Sequence, residues 1–231
     1  MQVFHAKDID SFESELNNLQ IKVPARGQER KTVHCEQYQI YHLLRGLFEA
    51  GKIIYPVSLL KRERPDFKLH LGQDIWGVET TEVVHPDWAK ASTLPESQND
   101  NSVLDPSLFK WGTERRSLRK LRELASKEKL TGSGWPGESV EVEFAQSVYD
   151  TVCVKHTKLT EGYERFQKDC LLIYHNLSSP VLDFDRGAEL TREALNNYWQ
   201  ERGFSIVVVH KNDSIGCYTQ NQFEWLVQTD G

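Results

Sequence analysis

Arg64-Pro65-Asp66-Phe67-Lys68-Leu69-His70-Leu71, then Gly72-Gln73-Asp74, then Ile75-Trp76-Gly77-Val78-Glu79-Thr80-Thr81-Glu82 is the stretch that decides the fold. Its alternation predicts two adjacent strands joined by a tight turn. Side chains of a strand point to opposite faces in turn. Asp66 therefore shares a face with Lys68 and His70, while Phe67, Leu69 and Leu71 point the other way. On the second strand Glu79 shares its face with Ile75, Gly77 and Thr81, opposite to Trp76, Val78 and Glu82. One carboxylate thus falls on each strand, 13 positions apart (79 − 66). Asp66 and Glu79 are expected to approach within the reach of one hard divalent cation, which takes oxygen ligands.

Around this hairpin the chain has the composition of a globular protein. Of its 231 residues 39% are hydrophobic and 27% charged, with a net charge of −6. That length fits one α/β domain spanning 1–231. No apolar run approaches the 18 or more residues of a membrane span. Met1 to Asp8 lacks a charged start followed by an apolar core, so no signal peptide is expected and the reading is cytoplasmic. Cys35, Cys153, Cys170 and Cys217 are scattered and offer neither zinc spacing nor a disulfide framework.

Helices are expected from Ile9 to Leu19, from Val33 to Ala50 behind Thr32 as N-cap, from Leu108 to Leu130, from Val140 to Phe166 and from Ala188 to Glu201. Cys170–Tyr174 and Ser205–Val209 read as buried strands, and Ser214–Tyr218 with Phe223–Val227 as a closing hairpin. Residues 85–139 look like an insertion: a polar loop over Ser92–Ser107, then a basic helix. Glu114 to Lys129 holds seven cations against three acids. Arg115, Arg116, Arg119 and Arg122 could there meet nucleic-acid phosphates, or simply form a solvated helix face.

Two helices carry charge on their apolar faces. Glu36 lies four residues before Ile40 and seven before Leu43, on the stripe that continues through Leu44, Leu47 and Phe48. A carboxylate facing a core is unfavourable unless paired or metal-bound, although a helix start also suits an acid. On the long helix, Phe144, Val148, Val152 and Leu159 form the stripe. At 100° per residue Lys155 falls about 20° from Phe144, and Lys158 lies at the stripe's edge, where a lysine can snorkel to water.

Pro65-Asp66 on one strand and Glu79-Thr80 on the next resemble the signature of the PD-(D/E)XK nuclease superfamily. The resemblance covers residues 32–84, and more loosely 140–176. It implies a restriction-endonuclease-like mixed sheet flanked by helices, and metal-dependent hydrolysis of phosphodiester bonds, in DNA rather than RNA. It further implies Mg²⁺ or Mn²⁺ held by Asp66 and Glu79, with Glu36 beside it. The family's lysine two positions after the second acid is replaced by Thr81. Some members carry it on a following helix, which places Lys155 or Lys158 in that role.

The departure at Thr81 also fits a catalytically silent module of the same fold that binds nucleic acid or protein, and a homodimer stays open. A third reading is an unrelated α/β protein whose hairpin acids are surface groups. Gly132-Ser133-Gly134-Trp135-Pro136-Gly137 follows a charged helix rather than a strand, so it is not a dinucleotide loop. No GxSxG elbow occurs.

Overall fold

The structure, a computed structural model, describes residues 2–19, 21–199 and 203–228. Eight strands form one mixed sheet in which spatial order follows chain order: β1 (Gln2–Ala6), β2 (Val57–Lys61), β3 (Phe67–Leu71), β4 (Asp74–Val83), β5 (Lys168–His175), β6 (Ile206–Lys211), β7 (Ser214–Tyr218) and β8 (Phe223–Val227). β4, β5 and β6 run parallel, and every other neighbouring pair is antiparallel. Parallel neighbours need crossovers, and helices supply them. α3 (Pro86–Ala91), α4 (Leu118–Ala125) and α5 (Ser139–Thr160) lie between β4 and β5, and α6 (Phe184–Leu195) between β5 and β6. α1 (Ile9–Asn18) and α2 (Thr32–Glu49) separate β1 from β2.

The expected hairpin is β3–β4. Phe67, Leu69 and Leu71 are buried and alternate with half-buried Lys68 and His70, as period-two patterning requires. Gly72 opens the two-residue turn with φ +59°, the positive value that tight hairpin turns favour. β5 and β6 sit centrally with almost every residue buried, the pattern of parallel strands covered on both faces.

Each face of the sheet has its own core. α1 and α2 cover Phe67, Leu69, Val78, Leu172 and Val208 with Phe12, Ile40, Leu43, Leu44 and Leu47. On the opposite face α5 and α6 cover Val83, Leu171, Ile173, Val207 and Val209 with Val148, Val152, Leu159 and Leu195. A third, small core of Ala91, Leu94, Phe109, Leu121, Leu124 and Ala125 holds the insertion together.

Several expected boundaries shift. β1 and β2, both before the hairpin, are strands beyond those the sequence predicts. α2 starts at Thr32 rather than after it, and α5 ends at Thr160 rather than Phe166. α6 spans Phe184–Leu195 because Asp183 caps it, accepting from Arg186 N–H at 2.9 Å. The end expected at Glu201 lies outside the described residues.

The largest correction concerns the basic helix, which covers Leu118–Ala125 rather than Leu108–Leu130. Ser117 caps its start, accepting from Lys120 N–H at 3.3 Å. Just before it, Arg116 N–H donates to Asp87 Oδ2 at 2.8 Å, so the backbone there serves a tertiary bond instead of a helical one. No helix among the described residues is long and apolar enough to cross a membrane.

α2 meets the central strands through aromatic packing. His42 stacks on His210 of β6 with ring centroids 4.1 Å apart, beside Tyr38 and Tyr174 of β5. Burial pushes His42 down to about 4 and His210 to about 3, well below the 6.5 of a free imidazole. The folded state refuses protons that the unfolded chain accepts. The contribution of this pair to stability should therefore be constant above pH 6.5 and be lost as pH drops from 6.5 toward 4 and 3. His210→Phe should make urea-unfolding midpoints less pH-dependent over that window. An unchanged slope would remove this pair from the acid response.

A cleft where the central strand outruns its neighbour

β3 pairs with β4 only as far as Phe67–Val78, whereas β5 follows β4 on to Val83. Asp66 and Glu79 occupy the next places past that last pair. Beyond it the β3-side edge of β4 has backbone groups with no strand to meet, and buried groups of that kind need other partners. Asp66 answers for Thr80: its Oδ2 accepts from the backbone N–H at 2.8 Å and from the hydroxyl at 2.7 Å. Lys155, reaching down from α5, donates to the Thr80 carbonyl at 3.1 Å and to Glu79 Oε1 at 2.7 Å. Tyr163 adds an O–H to the same Glu79 oxygen at 3.2 Å. With its amide oriented by the surrounding acceptors, buried Gln39 of α2 donates to the Thr81 and Leu172 carbonyls at 2.9 and 3.1 Å.

Asp66, Glu79, Thr80, Lys155 and Gln39 line a cleft of about 500 Å³ that also takes in Glu36, Glu82, Arg26, Arg30 and Lys31. Glu36 points to the hairpin as its helical phase predicts, and Lys61 at the end of β2 binds it at 2.6 Å. The same ammonium lies 3.8 Å from Asp66 Oδ1, beyond a hydrogen bond. Phe166 packs so closely on Gly77 that a Cβ there would come within 2.4 Å of its ring. That contact anchors the segment carrying Tyr163 against the Glu79 face of β4.

Electrostatically, Glu79 is the unusual member. Only 4% exposed, its carboxyl is pushed above the ordinary carboxylate range by burial and the Asp66 charge, and Lys155 restores only part of the difference. Its second oxygen, Oε2, is buried and bonded to no described residue. Burial and the Glu79 charge raise Tyr163 to about 12, which keeps it a proton donor.

The expected residues do not all converge. Asp66, Glu79, Glu36 and Lys155 line one cleft. Lys158 is exposed, as snorkelling from the edge of the apolar stripe implies. Glu36 is neutralised by Lys61, and no group of three or more His, Cys, Asp or Glu among the described residues is placed to hold a metal ion. Arg115 Nε binds fully buried Asp87 at 2.7 Å, and Arg116 sits 3.7 Å from the same carboxylate. Both tie the insertion together. Arg119 and Arg122 remain exposed, Arg122 at 3.5 Å from Glu96.

Sequence reasoning missed Lys61, Gln39, Arg26 and Arg30. Lys61 could have been found from Val57-Ser58-Leu59-Leu60-Lys61, a third strand preceding the hairpin. The arginines lie in a connector without periodicity, and only their contact with Glu82 marks them. Comparison with family models, with curated proteins and with solved structures finds no match.

Asp66→Ala should leave the Thr80 N–H and hydroxyl without their acceptor, costing about 1–3 kcal/mol of stability. Asp66→Asn keeps an acceptor oxygen and should cost less. Equal unfolding free energies for the two variants in urea would show that this carboxylate does not hold the strand end.

Proposed function

We propose that this protein is a metal-dependent phosphodiesterase acting on DNA, with a restriction-endonuclease-like architecture. The observation that carries the reading is the Lys155 ammonium at 2.7 Å from Glu79 Oε1, beside Asp66, with Glu79 Oε2 buried and without a partner among the described residues. The placement of Asp66 and Glu79 just past the last β3–β4 pair, Phe67–Val78, supports the architecture.

A divalent cation fits this donor set. Among the described residues Glu79 Oε2 has no hydrogen-bond partner, Asp66 Oδ1 meets Lys61 only as an ion pair at 3.8 Å, and both are the hard oxygens that Mg²⁺ or Mn²⁺ prefers. Magnesium is commonly held by one or two carboxylates, with water and substrate phosphate completing its shell. When bound, such an ion lowers the pKa of a water and polarises the phosphoryl group. Asp66 and Glu79 would hold it.

The chain's own residues supply position and charge. In hydrolysis the water oxygen bonds to phosphorus, the bond from phosphorus to the leaving ester oxygen breaks, and that oxygen takes up a proton. An ammonium has three N–H donors; Lys155 commits two, to Glu79 and Thr80, and the third is available to orient the water or meet the phosphate. Charge that develops at a buried, preorganised donor is stabilised far more than in water. Tyr163 keeps Glu79 Oε1 occupied, which leaves Oε2 as that carboxylate's free ligand.

A second reading, a silent binding module, draws on the lysines: Lys61 and Lys155 already neutralise Glu36 and Glu79. The test is cleavage of single- and double-stranded DNA and of RNA with Mg²⁺ and Mn²⁺. Lys155→Ala should lower the rate by roughly a hundredfold, about 3 kcal/mol of transition-state stabilisation. Exposed Lys158→Ala should cleave like the wild type, and both should melt cooperatively. Normal cleavage by Lys155→Ala would remove the lysine from the mechanism. A wild type that cleaves nothing with either metal would leave the binding module.

A further inference from the structure

One wall of the cleft is built from two arginines that the hydrolytic machinery does not use. Arg26 and Arg30 come from the connector before α2, and both guanidinium groups bind a single oxygen, Glu82 Oε1, Arg30 at 2.9 Å. Asn176 donates to that same oxygen at 2.6 Å. Glu82 lies three residues beyond Glu79 on β4, and it lines the same cleft. The wall therefore adjoins the Asp66–Glu79–Lys155 group.

The pairing is one-pronged. A guanidinium has five N–H donors. Arg26 uses its Nη2 on Glu82, and Arg30 uses Nη2 on Glu82 and Nε on Cys35 Sγ at 3.2 Å. Among the described residues nothing takes the other donors of either side chain. Two positive charges face one carboxylate, Lys31 adds a third cation to the wall, and α2 begins there with its positive end. Arg26 and Arg30 are only 23% and 15% exposed, so Glu82 fixes long side chains that would otherwise lose freedom on meeting a ligand. Planar donors held this way match the paired oxygens of a phosphate.

We propose that Arg26 and Arg30 form a phosphate clamp, positioned by Glu82, that holds the phosphate next to the one lying at Asp66, Glu79 and Lys155. The substrate is then a nucleic-acid strand with at least two consecutive phosphates rather than an isolated phosphodiester. This assignment rests on the hydrolytic reading for what lies at Lys155, but the clamp itself is a matter of binding.

The experiment measures binding without metal. In EDTA at low salt, a dinucleoside monophosphate and a trinucleoside diphosphate each compete with a fluorescent single-stranded DNA oligonucleotide for the full-length protein. The wild type should bind the two-phosphate compound about tenfold more tightly. Arg26→Gln and Arg30→Gln should erase that gain and lower the slope of log affinity for the oligonucleotide against log salt by roughly 0.7. Arg26→Lys keeps the charge but loses the fork, so it should keep the salt slope and recover part of the gain. Arg119→Gln, outside the cleft, should keep the gain whole. A gain that persists in both glutamine variants, or that the wild type never shows, overturns the clamp. Should Arg30→Gln fail to melt cooperatively, Arg26→Gln and Arg26→Lys decide alone. Cleavage is scored separately: a lost gain with no product under Mg²⁺ or Mn²⁺ upholds the clamp and removes hydrolysis, and product with a persisting gain does the reverse.

Discussion

The cleft exists because β4 runs five residues past the end of its ladder with β3 while remaining paired to β5. A strand end of that kind leaves backbone N–H and C=O groups in need of partners, and burying them unpaired is unfavourable. Side chains take the place of the absent strand. Asp66 meets the Thr80 N–H and Lys155 meets the Thr80 carbonyl. The same arrangement that completes the strand gathers an aspartate, a glutamate and a lysine at one point.

Stability is a poor explanation for that gathering. Replacing a buried ion pair by well-packed apolar groups is often neutral or favourable, so its presence argues weakly for a structural purpose. Glu79 sits where burial opposes its charge, and Lys155 together with Tyr163 satisfies only one of its two oxygens. Carboxyls shifted in this way, inside a cleft and next to a specific partner, concentrate at functional sites. Asp87 provides the contrast. Equally buried, it is surrounded by Arg115, Arg116 and the Arg116 N–H, and it binds the insertion to itself without opening on a cleft.

Periodicity made much of this visible in the sequence. The helical phase of Phe144, Val148 and Val152 sends Lys155 inward although its partner lies 76 residues away, whereas Asp66, expected on the strand, falls just before β3 begins at Phe67. Charge density misled. The run from Glu114 to Lys129 carries no boundary in its composition, and the helix is set instead by Ser117 and by the tertiary demand of Asp87 on Arg115 and Arg116. Arg26, Arg30 and Lys61 stayed hidden for a related reason. Their roles depend on which residues meet across the fold, and no local pattern encodes a contact between positions 26 and 82.

A lysine delivered by a helix ties the site to the core differently from one on the strand. At position 81 an ammonium would share the face of Glu79 through the strand's own period. At position 155 its reach depends on how α5 sits on the sheet, which Val148, Val152 and Leu159 fix against Leu171, Ile173 and Val83. In return the ammonium approaches from above and engages a side-chain carboxylate and a main-chain carbonyl together. Two acceptors of different origin constrain its position more than one would. Thr81 has a β-branched side chain suited to the strand, and its carbonyl accepts from Gln39. The geometry of the cleft thereby depends on the packing of α5, and anything that shifts that helix should be felt first at Glu79.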